Sequence, residues 1–557
     1  MPFFHSRMAI YALMAVLTVV VLTGHHTVPP MDRDESRFAQ ASRQMQQSGD
    51  YITVRFQDDL RAKKPAGIYW LQSAFASMLG EAAISSYRFV NVLALLAAVF
   101  MLYHIGLQLY EPRTALAAAT LFGTGFLVLG EAHLAKTDTV LMALILAQQW
   151  ALFRLYIQWQ TNGKAPANNW LWFWLAMAFG IMIKGPVAVV IAVLTIASLA
   201  LWHRQIRWLT ALNIWYGLLV VAVVCLPWAV MVSLSTDGAF LATAIKADLL
   251  AKVHSGQESH GALPGSYVLA LGFLIWPATP LLIGFFGQIR GFLTRPETRF
   301  LLAWLVPFWI MMELIPTKLP HYLLPVLPAL ALLLAAGVPV LTSRENFTRR
   351  WQYFLIIGLR YLALGLGLGL GIVALWAALN FGGATSRRAV LFAFLGLLAI
   401  AAALYFGHLW IRQALWVPFF AMLGAGLVFH LILFSALVPA LSRIHVSSAI
   451  ASTIANLPAR PTAVAASGYH EPSLVFLLGQ NLFLLTAKES ALFLEEAPGG
   501  MAIIEQRQNP AFLTVAAQLG LRVQPPIQLS GFNISKGQDV QILLYRTAVF
   551  DANASKE

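Results

Sequence analysis

Apolar runs long enough to cross a bilayer recur from residue 8 to residue 437. A hydrocarbon core needs about 20 mostly apolar residues per helix. Windows of that kind fall near 8–23, 88–109, 114–130, 139–157, 170–183, 186–202, 211–232, 266–287, 300–314, 321–340, 353–378, 388–408 and 414–437. The pattern predicts a polytopic α-helical membrane protein with about 13 transmembrane helices. The first window follows Arg7 without a small-residue cleavage pattern, so it reads as a retained helix.

From about residue 441 short runs replace the long ones, and charges, Gly, Pro and Asn return. Thr462–Ala466, Leu482–Leu485 and Met501–Glu505 read as strands. Pro472–Leu478, Lys488–Glu495 and Pro510–Leu519 read as helices between them. Val523–Leu529 and Val540–Tyr545 form a terminal hairpin turning around Asn533–Gly537. Such alternation describes a small α/β domain. The predicted organisation is therefore a transmembrane domain over 1–440 and a soluble one over 441–557.

Two polar stretches interrupt the apolar part. Residues 24–87 are too many for a plain connector. They hold helix formers over Asp32–Gln47 and suggest short helices lying along the membrane surface. Leu234–Gly265 is a second long loop. Leu364–Gly371 alternates Leu with Gly, a pattern that allows close helix packing.

Composition excludes other classes. Hydrophobic residues are 59% and charged ones 11%, against roughly 45–50% and 25% in soluble domains. Neither a soluble enzyme nor a disordered chain has that balance. Lys and Arg exceed Asp and Glu by 37 − 24, or +13. With the N-terminus in the cytoplasm, the even-numbered loops carry Arg113, Arg154, Lys164, Arg204, Arg207, Arg290, Arg295, Arg299, Arg344, Arg349, Arg350 and Arg412. Their acids are Glu111, Glu297 and Glu345. The bias predicts that orientation, with the long polar loops and the C-terminal domain outside. It accounts for the basic total without nucleic acid, for which no basic stripe with interleaved aromatics exists. The single Cys225 excludes a disulfide framework and a multi-cysteine metal site.

Candidate chemistry gathers in the outer loops. Asp34-Glu35-Ser36-Arg37 puts two carboxylates just after the first span. They read as groups that accept a proton or bind a cation, or as acids in a helix's first turn. Lys63-Lys64-Pro65 precedes Tyr69-Trp70. Paired lysines beside interfacial aromatics suit a phosphate headgroup on a lipid tail, or are snorkelling anchors. A second short loop, Glu131–Asp138, holds His133, Lys136 and Asp138; Thr137 or Asp138 could instead cap the next helix. Arg88, Lys184 at a Gly-Pro turn, and Lys318, His321 and Tyr322 in another turn add cations and donors on the same side.

His254, Glu258 and His260 are spaced loosely like ligands of a divalent metal such as zinc. Plain hydrogen-bonding loop histidines are the alternative. No required cofactor follows from the sequence. It contains no nucleophile elbow, phosphate-binding loop, zinc-protease helix or dinucleotide fingerprint, which disfavours ATP-driven transport and serine hydrolysis.

The order of Asp34-Glu35-x-Arg37, Lys64-Pro65-x-x-x-Tyr69-Trp70, Asp138 and Thr317-Lys318-Leu319-Pro320-x-Tyr322 resembles the C-type (GT-C) membrane glycosyltransferases. It looks most like the bacterial branch that puts 4-amino-4-deoxy-L-arabinose on lipid A. The resemblance covers most of residues 1–440 and accommodates an external α/β domain. It implies an undecaprenyl-phosphate sugar donor, a lipid A phosphate acceptor at the periplasmic face of the bacterial inner membrane, and inversion at the anomeric carbon. It carries the catalytic position to Asp34, with Glu35 beside it and Asp138 as the second acid, and gives Lys64 a phosphate. Arg37, Lys63, Tyr69, Trp70, Arg88, Lys136, Lys184, Lys318, His321 and Tyr322 complete the expected binding residues. The expected partners are donor, acceptor and membrane lipid, with the chain acting as a monomer. The rivals are a related transferase acting on protein or another glycan, and a lipid transporter or flippase. A transporter would need charges within the spans and inverted repeats.

Overall fold

The computed structural model describes residues 8–163, 168–244, 262–282, 295–341, 350–413, 415–497 and 499–547. Among these, seven helices are long and apolar enough to cross a membrane: Met8–Thr27, Ile84–Leu109, Asp138–Asn162, Arg207–Ser235, Phe354–Phe381, Gly383–Gln413 and Trp416–Ala440. An eighth follows if the pair Pro112–Gly123 and Phe126–Ala132, bent by 58°, counts as one. The chain divides into two compact units.

The first unit comprises residues 1–26, 41–374 and 393–435. Its α-helices of seven residues or more are α1 (Met8–Thr27), α2 (Asp34–Ser48, whose first turns lie in the second unit), α3 (Gly67–Leu79), α4 (Ile84–Leu109), α5 (Pro112–Gly123), α6 (Phe126–Ala132), α7 (Asp138–Asn162), α8 (Asn169–Lys184), α9 (Val187–His203), α10 (Ile214–Ser235), α11 (Ser266–Leu274), α12 (Pro296–Leu314), α13 (Leu327–Ala335), α14 (Arg350–Phe381) and α15 (Ser386–Gln413), whose residues 375–392 are assigned to the second unit, and α16 (Trp416–Ile432). A two-residue hairpin, β1 (Arg55–Phe56) with β2 (Asp59–Leu60), lies between α2 and α3.

Burial ranks these helices. The apolar window of α7 is 72% buried, whereas that of α10 is 17%. Thus α7 is the most enclosed of the seven long helices and α10 the most exposed among the described residues. Gly163, in the left-handed region at φ 62°, ends α7 and lets the chain return along it as α8.

Two of the predicted spans are not single continuous helices. Residues 114–130 are broken at Thr124 between α5 and α6. Residues 321–340 open as a 3-10 turn, Pro320–Val326, before α13. Pro325 and Pro328 have no amide hydrogen to give an α-helical ladder. Windows 170–183 and 186–202 are helices of 16 and 17 residues. The Leu-Gly repeat packs on one face only. A Cβ at Gly367 or Gly371 would lie 3.1 Å from Ile400 or 2.1 Å from Leu397 of α15, while at Gly365 or Gly369 it would meet nothing.

The second unit comprises residues 27–40, 375–392 and 436–557. Its sheet has five strands in the order β4-β3-β5-β7-β6, with β3 (Val464–Ser467), β4 (Leu482–Leu484), β5 (Met501–Glu505), β6 (Ile527–Asn533) and β7 (Gln538–Arg546). β3 runs parallel to β4 and β5, and β7 antiparallel to β5 and β6. Helices α17 (Val446–Ala455), α18 (Pro472–Leu478), α19 (Ala487–Glu496) and α20 (Asn509–Gln518) complete it. Every residue of β3 and β5 is buried, as expected of strands covered on both faces. Ala491, Leu494, Ile504, Phe512 and Leu543 form one core. Thr486 and Glu489 make a reciprocal capping box at α19.

This is the α/β alternation read from the sequence, with strand ends shifted by up to four residues. The final hairpin begins at Ile527 rather than Val523. Pro525 and Pro526 cannot donate to a ladder, and Val523 keeps an isolated bridge to Thr547.

Candidate active site

The end of α8 returns beside the start of α7 because the two helices are antiparallel neighbours. Lys184 Nζ then stands 2.5 Å from Asp138 Oδ1, with side chains 14% and 6% exposed. The Tyr322 ring centroid lies 5.7 Å from the same ammonium, within cation–π range. Gly185 at φ 66° turns the chain away after Lys184. Thr137 makes no capping bond to α7, and its hydroxyl instead lies 3.4 Å from Asp138 Oδ2.

A second ion pair adjoins in the loop between α6 and α7. Lys136 Nζ is 3.0 Å from Glu131 Oε1 and 2.9 Å from Oε2. His321 Nδ1 lies 3.7 Å from Glu131 Oε1. Asn91 of α4 holds the loop from below, donating to the carbonyls of Leu134 and Lys136. Two lysines, two carboxylates, a histidine and a tyrosine therefore meet at one end of α7. Of these residues and their support, Glu131 and Asn91 carried no sequence prediction. Their signals were an acid sharing a short loop with Lys136, and a lone amide within an apolar span.

The remaining predicted residues of this unit hold the framework. Arg88 is fully buried and donates 2.9 Å to the His25 carbonyl at the end of α1. Lys318 donates to the carbonyls of Met312, Glu313 and Ile315, and so caps α12 rather than reaching outward. The buried Tyr69 accepts from Arg61 Nε at 3.1 Å, and Trp70 Nε1 donates to the Tyr51 carbonyl at 2.7 Å. Lys64 is half-buried, with Nζ 2.9 Å from the Lys63 carbonyl, while Lys63 is exposed. His133 stacks on Phe434 at 4.1 Å, and burial pushes its pKa down to about 4.

In the second unit, α2 opens with Asp34, Glu35 and Arg37. Arg33 takes the left-handed conformation at φ 65° and donates to the Ser535 carbonyl at 2.8 Å. Glu35 is buried, and its Oε2 accepts the Met31 amide at 2.9 Å. Ser36 Oγ donates to the Met31 carbonyl at 2.5 Å. The Glu35 carboxylate thus builds the turn that starts the helix, whereas Asp34 is exposed and Arg37 half-buried. Asp32, which carried no sequence prediction, accepts the Ser473 amide at 3.1 Å. Burial pushes its carboxyl up to about 6, and the charge of Glu471 adds to the shift.

His254, Glu258 and His260 lie outside the described residues. Among the described residues no three His, Cys, Asp or Glu side chains gather as metal ligands.

This architecture has a counterpart in solved structures. The crystal structure of ArnT from Cupriavidus metallidurans bound to undecaprenyl phosphate superposes with a TM-score of 0.71 over 96% of this chain and 97% of that one, at 16% identity. The two chains therefore share a fold. Residues 63–231 match the family described as dolichyl-phosphate-mannose-protein mannosyltransferase.

Sequence narrows the likeness. The chain is similar to the undecaprenyl phosphate-α-4-amino-4-deoxy-L-arabinose arabinosyl transferases of Pectobacterium atrosepticum (29% identical; 64% of each chain) and Pectobacterium carotovorum (30%; 64% of each). The enzyme of the same name from Pseudomonas paraeruginosa is 29% identical over 59% of this chain and 60% of its own. The matched stretch is thus slightly under two thirds of each relative.

Proposed function

We propose that this chain transfers 4-amino-4-deoxy-L-arabinose from undecaprenyl phosphate to a phosphate of lipid A, with inversion, at the periplasmic face of a bacterial inner membrane. The observation that carries the reading is the Lys184–Asp138 and Lys136–Glu131 cluster at the end of α7. Cations kept at low exposure beside carboxylates are poised to exchange a carboxylate oxygen for a phosphate oxygen. The named relatives and the solved neighbour support the donor and the sugar.

The chemistry divides accordingly. An oxygen of the acceptor phosphate attacks the anomeric carbon as the bond from that carbon to the carrier phosphate breaks. Charge grows on the departing polyprenyl phosphate, and the amines of Lys184 and Lys136 stabilise it; such electrostatic stabilisation is usually the largest contribution to rate. The acceptor phosphate is already ionised near neutrality and needs little general-base help. Asp34 therefore serves to orient the acceptor or to bind the sugar's ammonium group. Lys64 holds a phosphate.

Purified chain supplied with the polyprenyl-linked aminopentose should modify lipid A and leave a serine/threonine peptide unmodified. Sugar found on the peptide would instead support the protein-directed reading suggested by the family matched over residues 63–231. Lys64→Ala should weaken donor binding by about 1–3 kcal/mol, the scale of a charged hydrogen bond; unchanged affinity in a titration with undecaprenyl phosphate would remove Lys64 from the site.

A further inference from the structure

Away from this cluster, α14 and α15 enclose a groove of about 410 Å³ with Pro277 and Pro280. It lies toward the ends of these helices opposite the Gly382–Thr385 turn that joins them. Its walls are apolar, with Ile357, Leu364 and Leu404 among them, except for Arg360 and His408. Arg360 lies six residues inside the apolar span Phe354–Phe381, and His408 five residues inside Gly383–Gln413. At 1.5 Å per residue both sit roughly 8–9 Å in from those span ends.

Arg360 Nη2 donates to His408 Nδ1. That bond uses the lone pair of a neutral imidazole and leaves the guanidinium charge in place. Arg412 stands one turn beyond His408 on α15. Among the described residues neither Arg360 nor His408 has a carboxylate partner. An arginine within an apolar span is costly without an anion, and it marks a binding site more often than a packing residue. The groove is also open sideways, since Tyr361 on its rim is 69% exposed.

We infer that this groove is a site for an anionic glycerophospholipid, with its phosphate on Arg360 and an acyl chain along Ile357, Leu364 and Leu404. Charge complementarity selects the occupant: a guanidinium matches a phosphate diester in the fork geometry of two parallel N–H bonds, and the apolar wall matches the chain. A zwitterionic lipid brings its own cation and gains less. On the orientation proposed above the site faces the cytoplasmic leaflet, on the other side from sugar transfer.

Native mass spectrometry of the full chain in detergent, titrated with phosphatidylglycerol or phosphatidylcholine, tests this. The first phosphatidylglycerol should bind about tenfold more tightly than phosphatidylcholine, the scale of one charged hydrogen bond. Arg360→Gln should bring the ratio near one, and Arg360→Lys should keep part of it. Leu404→Trp, which fills the groove and leaves the charge, should lower retention and covers the case in which Arg360→Gln does not fold. Equal binding of the two lipids by the unaltered chain, or an unchanged ratio in Arg360→Gln, would overturn the proposal. So would retention of undecaprenyl phosphate in place of phosphatidylglycerol.

Discussion

Asp138 and Lys184 depend on each other because neither has much water to fall back on. Removing one partner of a buried pair strands the other's charge. Asp138→Asn should lower stability by about 3 kcal/mol, the low end of the range for such pairs, since Lys184 is 14% exposed. Adding Lys184→Met should restore part of the loss; unfolding in detergent across the double-mutant cycle measures the coupling, and additivity would show that the pair does not interact. Asp32 makes a pH prediction. Its folded-state pKa is raised from 3.8 to about 6, so the folded state holds a proton that the unfolded chain has released. The favourable contribution is complete below pH 3.8 and is lost as pH rises through 6. Asp32→Asn should gain about 1–3 kcal/mol over the parent at pH 7 and nothing at pH 3.5; parallel unfolding curves at both values would refute this. Asp138 and Lys184 were legible as residues because each sits where an apolar run breaks. Asp32 was not, since its partner Ser473 is 441 positions away.

Helix contacts at the site's edge turn on the absence of a side chain. A Cβ at Gly67 would lie 2.6 Å from the Met182 carbonyl, two residues before Lys184. Backbone cannot swing aside as a side-chain tip can. Gly67→Ala should therefore shift α3 against α8, cost about 1–3 kcal/mol as overpacking does, and reduce transfer. Gly369→Ala meets nothing and should leave melting temperature and activity unchanged; a loss equal to that of Gly67→Ala would disprove the contact. Long periodic runs such as α4, α7 and α15 were readable directly. The runs at 114–130 and 321–340 were not, because hydropathy counts apolar residues but does not register the 58° bend between α5 and α6 or the 3-10 turn Pro320–Val326 that holds Pro325. The strands of the second unit were legible to within a few residues, because short apolar runs between turn residues admit few alternatives.

At the scale of the molecule, composition announced a membrane protein and the paired loop lysines suggested a phosphate headgroup, whereas the sugar followed only from the family resemblance. What the sequence withheld was which polar residues converge. Glu131 became prominent only through Lys136 and His321, whereas Lys318 proved to be committed to the end of α12. The account rests on polyprenyl-phosphate sugar transfer, and mass spectrometry of lipid A tests it most directly. Lipid A incubated with the purified chain and undecaprenyl-phosphate aminoarabinose should gain one aminopentose residue, and the gain should vanish with Asp34→Asn in protein that still inserts and purifies normally. Lipid A left unmodified by the unaltered chain, or modified equally by Asp34→Asn, would contradict the account.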